Sequence, residues 1–165
     1  MNRHIFIIGM MGSGKSTIAP LLSDKLKIPY VDIDQDLMEI LSLNIEEIFN
    51  YSEKKFRLLE STYFLEHIKN SPTIYATGGG IVLDKKNRGV LKNSGYTVLL
   101  KASVPILNDR VNTDNIKRPL LKNKSTLEKL WNQRKKYYRD CSDVVIDTEN
   151  KSPQVITNEI IEKMN

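Results

Sequence analysis

The residues Gly9-Met10-Met11-Gly12-Ser13-Gly14-Lys15-Ser16-Thr17 fit the pattern G-x-x-x-x-G-K-[S/T]. Glycines at 9, 12 and 14 let the backbone curl with its N–H groups turned inward. With the positive end of a following helix, those donors make a cradle for phosphate oxygens. Lys15 has the length to reach the outer phosphates of a nucleotide, and the Ser16 hydroxyl can join a Mg²⁺ ion. Gly12, Ser13, Gly14, Lys15, Ser16 and Thr17 are therefore candidate ATP-binding residues.

Further along, Asp32 and Asp34 follow the apolar pair Tyr30-Val31. Two carboxylates beside a phosphate site suit one for Mg²⁺ and one for proton handling or substrate hydroxyls. The alternative for Asp34 is a helix cap ahead of Gln35–Leu43. Arg57 and Glu60 stand three apart on a helical pattern and can pair, and by pattern alone a surface ion pair is the better reading. Gly78-Gly79-Gly80 is costly in chain entropy unless something approaches the backbone closely. Arg134 is the one cation on an otherwise apolar helical face with Leu127, Leu130, Trp131 and Tyr138, and is either snorkelling or holding an anion.

These residues need a scaffold, and the pattern supplies one. Ile5-Phe6-Ile7-Ile8 reads as a buried parallel strand running into the phosphate loop. A helix with Ile18, Leu21, Leu22 and Leu26 follows, interrupted only by Pro20. Pro29 to Asp34 reads as a second strand, and alternation puts residues 32 and 34 on one side of it. Helices are expected over 52–70, 84–93, 103–111, from a Ser125–Glu128 capping box to 140, and from Pro153 behind a Ser152 cap to 164. Strands are expected at 73–77, 96–100 and 144–146. Asn112 to Lys124 is polar, basic and without periodicity, which suits a mobile lid carrying Arg118 over a transferring phosphoryl group. In such α/β sheets, ligands gather at the carboxyl ends of the strands.

Composition narrows the class. The chain has 165 residues, 40% hydrophobic and 27% charged, which fits one globular domain over 1–165. The lone Cys141 allows no internal disulfide, in keeping with a cytoplasmic location. The start of the chain lacks the pattern of a signal peptide, and no run approaches a membrane span. The net charge of +5 suits anionic small molecules. It leaves open a second reading, a nucleotide-gated nucleic-acid module using the basic-aromatic run Arg134 to Arg139.

Taken together, the motifs resemble the shikimate kinase family over essentially the whole chain. The resemblance rests on Met11–Thr17, on Asp32 with Asp34, and on Ile48-Phe49, Glu53, Phe56-Arg57 and Glu60. It continues through Thr77–Gly80, Arg118-Pro119-Leu120-Leu121, and Arg134 with Tyr137. It implies a three-layer α/β fold like that of nucleoside monophosphate kinases. The implied five-stranded parallel sheet has the order 2-3-1-4-5, with a substrate-binding segment near 34–62 and a lid near 112–124. It implies ATP-dependent phosphorylation of shikimate to shikimate 3-phosphate by a monomer, with Mg²⁺ and without nucleic acid or membrane. Residue by residue, it implies that Asp34 binds substrate hydroxyls and helps deprotonate one. Arg57 and Arg134 would grip the carboxylate, Glu60 would orient Arg57, and Gly79 and Gly80 would offer backbone donors. Lys15 and Arg118 would stabilise the phosphoryl group, Ser16 and Asp32 would hold Mg²⁺, and Arg110 and Pro153 would flank the adenine. Ser52 departs from the family pattern, which usually has Gly there, as does Ser142 before Asp143. Another small-molecule kinase of this fold, such as a gluconate kinase, remains the nearest alternative.

Overall fold

The computed structural model describes residues 3–42, 52–113 and 124–164, and only the backbone of Lys124 and Ser125. The family-motif residues Ile48 and Phe49 and the stretch carrying Arg118 lie outside the described residues. Five strands, β1 (His4–Ile8), β2 (Tyr30–Asp32), β3 (Ile74–Ala76), β4 (Gly95–Lys101) and β5 (Val144–Asp147), form one sheet. Its order is β2-β3-β1-β4-β5 and every pairing is parallel. This is the expected topology.

The unbroken apolar run of β1 follows from its place at the centre. Ile5, Phe6, Ile7 and Ile8 are all 0% exposed, and each such burial is worth roughly 1.5–3 kcal/mol. Ile5 and Ile7 pack with Ile18 and Leu22 of α1 (Lys15–Leu26) and with Ile156 and Ile160 of α7 (Pro153–Met164). Phe6 and Ile8 point the other way. They join Phe64 of α3 (Glu53–Glu66), Leu91 of α4 (Lys85–Asn93), Leu107 of α5 (Val104–Thr113) and Leu127 and Tyr138 of α6 (Lys124–Cys141). Strand alternation thus sorts the helices into two outer layers.

Local boundaries differ from expectation in ways that matter to the site. β2 stops at Asp32, and Ile33 opens α2 (Ile33–Leu41). The expected pairing of Asp32 and Asp34 on one side of a strand is therefore incorrect. Asp32, not Asp34, is the helix cap: its carboxylate accepts from the Gln35 amide at 3.3 Å. The reason is the burial of Ile33, 1% exposed, which draws the chain into a helical turn as soon as the short strand ends. Ser52 at the head of α3 has φ 174, ordinary extended backbone, and its hydroxyl accepts from the Lys55 amide at 3.4 Å. The departure from Gly at this position is thus an N-cap. α6 begins at Lys124, ahead of the Ser125 expected to cap it. Ile81–Leu83 forms a 3-10 turn that the pattern had not suggested.

Candidate active site

The phosphate loop joins the end of β1 to α1. Gly12 has φ 76 and Gly14, the N-cap of α1, has φ 97, a left-handed region where a Cβ is strained. The Lys15 ammonium lies over the loop and donates to the carbonyls of Gly9 and Met10, both at 3.0 Å. A continuous cavity of about 910 Å³ runs along the loop. Beyond the loop it is lined by Asp32, by Asp34, Gln35 and Met38 of α2, by Thr77, and by Arg110, Lys151 and Pro153. This volume falls in the range of small-ligand sites.

Arg110 is fixed in the cavity wall. Its guanidinium donates to the Thr148 hydroxyl at 2.9 Å, to the Thr148 carbonyl at 2.8 Å and to the Gly12 carbonyl at 3.4 Å. The bonds tie the loop to the chain after β5, and Arg110 and Pro153 both line the cavity. Thr148 carries no signal in the sequence, because its role depends on β5 lying beside β4.

Arg57, Gly79, Gly80 and Arg134 do not line this cavity. They form a second cluster joined to it through Gly78 and Asp34. Arg57 donates to Glu60 at 2.7 Å, and Glu60 is 1% exposed. The pattern-only reading of a surface ion pair is therefore incorrect: α3 turns this pair inward, over the glycine turn. A Cβ on Gly80 would stand inside the Arg57 guanidinium. A Cβ on Gly78 would meet a carboxylate oxygen of Glu60 and, at 2.7 Å, one of Asp34. The glycines are required by close approach. Replacing Gly80 with Ala must displace Arg57, and we expect a loss of about 1–3 kcal/mol from overpacking, measurable as a lower urea midpoint with an unchanged m value.

Arg134 reaches the same turn from α6. It is 1% exposed and donates to the Gly79 carbonyl at 3.1 Å, an acceptor it shares with the Tyr138 hydroxyl at 2.5 Å. Tyr138, four residues on, is the buried partner of Arg134. Tyr137, the tyrosine of the family motif, lies beneath the Arg88 guanidinium. With Arg134 and Tyr138 turned inward, the run from 134 to 139 does not form a continuous basic-aromatic surface.

Asp34 stands where the two clusters meet. Burial raises its carboxyl pKa to about 7, and the neighbouring Glu60 charge raises it further than Lys15 pulls it back; Asp32 and Arg57 act more weakly, in opposite senses. One oxygen of Asp34, one of Glu60 and Nε of Arg134 are buried without a hydrogen-bond partner. Such groups are rare in folded proteins, and three around one turn mark a place prepared for polar atoms. Chemically, the site offers a phosphate cradle, a lysine, a carboxylate poised to take a proton near neutral pH, and two buried guanidinium groups.

No group of three or more His, Cys, Asp or Glu side chains able to hold a metal occurs among the described residues. Mg²⁺ needs only one or two protein ligands when phosphates complete its shell. Ser16 and Asp32 both line the cavity, and the cap on Gln35 engages one Asp32 oxygen, so this oxygen-donor pair fits. No helix among the described residues is long and apolar enough to cross a membrane.

Comparison with known proteins gives a consistent result. Residues 11–165 match the family model described as shikimate kinase. A shikimate kinase of Enterococcus faecalis is 38% identical over 97% of this chain and 97% of that protein. The solved structure of shikimate kinase from Acinetobacter baumannii in complex with shikimate superposes with a TM-score of 0.94 at 27% identity, covering 99% of this chain and 93% of that one. A gluconokinase from Sinorhizobium meliloti is similar in fold alone, with a TM-score of 0.62 at 13% identity over 98% of this chain and 90% of that one.

Proposed function

This chain belongs to the shikimate kinase family, and on that premise we propose that it transfers the γ-phosphoryl group of ATP to a ring hydroxyl of shikimate. The products are ADP and shikimate 3-phosphate. The observation that carries the reading is the meeting of Arg57, Arg134 and Asp34 around one glycine turn, with Asp34 also lining the phosphate-loop cavity. A small ring acid with several hydroxyls needs cations for its carboxylate and an acceptor for a hydroxyl proton. Two guanidinium groups suit a carboxylate because each can bind it through paired N–H donors.

In this reading, Gly12 to Thr17 bind the ATP phosphates and Arg110 and Pro153 flank the adenine. Gly79 and Gly80 lie against the acid, and Arg57 and Arg134 hold its carboxylate. Asp34 accepts the proton of the attacking hydroxyl as the new O–P bond forms and the bond to the ADP oxygen breaks. Lys15 follows the charge on the transferring group. Arg118, outside the described residues, joins it by family likeness, on a lid over 112–124. Ser16 and Asp32 would hold Mg²⁺, which offsets phosphate charge when bound. The same reading makes the chain a single kinase domain, acting as a monomer in the cytoplasm and without nucleic acid.

A coupled assay of ADP release tests it. Purified protein with ATP and Mg²⁺ should turn over with shikimate and remain at background with gluconate or nucleoside monophosphates. Turnover with gluconate in place of shikimate would transfer the reading to the gluconate kinases. Salt-sensitive oligonucleotide binding without turnover would favour the nucleic-acid module.

A further inference from the structure

Behind the glycine turn, two neighbouring residues of α4 hold the 3-10 turn that follows it. Asn87 is 1% exposed. Its amide nitrogen donates to the Ile81 carbonyl at 3.1 Å, and its amide oxygen accepts from the Ser61 hydroxyl at 2.9 Å. Arg88 donates to the carbonyls of Val82 at 2.7 Å and Leu83 at 2.9 Å. Its guanidinium carbon lies 4.4 Å from the centroid of the Tyr137 ring. Three successive carbonyls are therefore held by two adjacent side chains. The hold extends through Ser61 to α3, which carries Arg57, and through Tyr137 to α6, which carries Arg134. The 3-10 turn is bonded in its own right to the glycines, Ile81 N–H to Gly78 O at 3.2 Å and Leu83 N–H to Gly80 O at 2.9 Å.

A buried amide satisfied at both ends sets a distance, because moving either partner leaves a polar group unpaired away from water. Asn87 sets the distance between α3 and the residue that follows Gly80. The Arg57 guanidinium rests on Gly80 without room for a methyl group, so a slide of α3 moves the guanidinium directly. We propose that Asn87, with Arg88 as a second arm, is a positioning residue that sets the spacing of Arg57 and Arg134 around the glycine turn. The inference rests on the reading that this pair grips the substrate carboxylate.

The test is steady-state kinetics on Asn87→Leu, which keeps the volume and removes both hydrogen bonds. The KM for shikimate should rise about tenfold while kcat and the KM for ATP stay within about twofold, less than the hundredfold that a 1 Å misplacement can cost. Ser61→Ala cuts one link and should move the same constant about threefold in the same direction. In an Arg57→Ala background, Asn87→Leu should add nothing further to the shikimate KM, because its effect passes through Arg57. A lower Tm with an unchanged shikimate KM would reduce Asn87 to a purely structural residue and overturn the proposal. Additive effects in the Arg57→Ala background, or an equal rise in both KM values, would overturn it as well. If Asn87→Leu does not fold, Ser61→Ala decides by the same criteria, and Arg88→Met by the shikimate KM against the KM for ATP. A wild-type chain without shikimate-dependent turnover would bring down the underlying reading before any variant is made, so the two failures are distinguishable.

Discussion

Asp34→Asn will leave a protein that is more stable at pH 8 than the wild type and about a thousandfold slower, within the range of 10²–10⁴ ascribed to a general base. Both effects have one cause. The folded chain holds the Asp34 carboxyl near 7, against 3.8 for an ordinary Asp, chiefly through burial and the neighbouring Glu60 charge. Between those values the folded state keeps a proton that the unfolded chain has released. Stability is therefore lost as pH rises from about 4 to 7, and above 7 the penalty is on the order of 2–4 kcal/mol. Asn carries no charge to desolvate, and its amide can donate to the unpartnered Glu60 oxygen. The Tm of the variant should exceed that of the wild type by about 5 °C at pH 8 and converge with it near pH 4. In the wild type, kcat/KM for shikimate should fall as pH drops below about 7 and Asp34 of the free enzyme takes up its proton. Equal Tm values at pH 8, or a variant with near-normal kcat, would remove Asp34 from the role of base.

Arg134→Met should be the most selective loss. The substitution keeps much of the side-chain volume in a position that is 1% exposed and deletes the buried cation. Truncating one partner of a buried charge pair costs about 2–5 kcal/mol, so kcat/KM for shikimate should fall roughly a hundredfold or more. The KM for ATP should stay within about twofold of wild type, because Arg134 lies across the glycine turn from the nucleotide cavity and does not line it. Stability should be unchanged or higher: burying a guanidinium whose Nε finds no partner is costly in the free protein. Parallel loss of ATP affinity would place Arg134 outside the acid pocket.

The phosphate loop and the sheet were legible because their signals are local. A glycine-rich strand-to-helix turn and an all-apolar strand are written in consecutive residues, and they led to the right topology with the resemblance supplying the strand order. Boundaries were less legible. β2 ended early because burial of Ile33 draws the chain into a helix, a tertiary demand that alternation along a strand does not reveal. For Arg57 and Glu60 the spacing gave the pair and not its surroundings. A helical i, i+3 pair has the same sequence whether it faces water or a glycine turn.

From its residues alone, the chain carried the pattern of a phosphate loop, two carboxylates after the second strand, and an arginine on an apolar helix face. Each of these is a matter of residue type and short-range geometry. Tertiary packing decided the rest: that Gly78 and Gly80 are small to admit Glu60, Asp34 and Arg57, that burial beside Glu60 raises the Asp34 carboxyl to about 7, and that Asn87 ties together α3 and the 3-10 turn. These depend on residues dozens of positions apart sharing one buried volume. Desolvation and close contact are properties of that volume, and no single stretch of chain contains them.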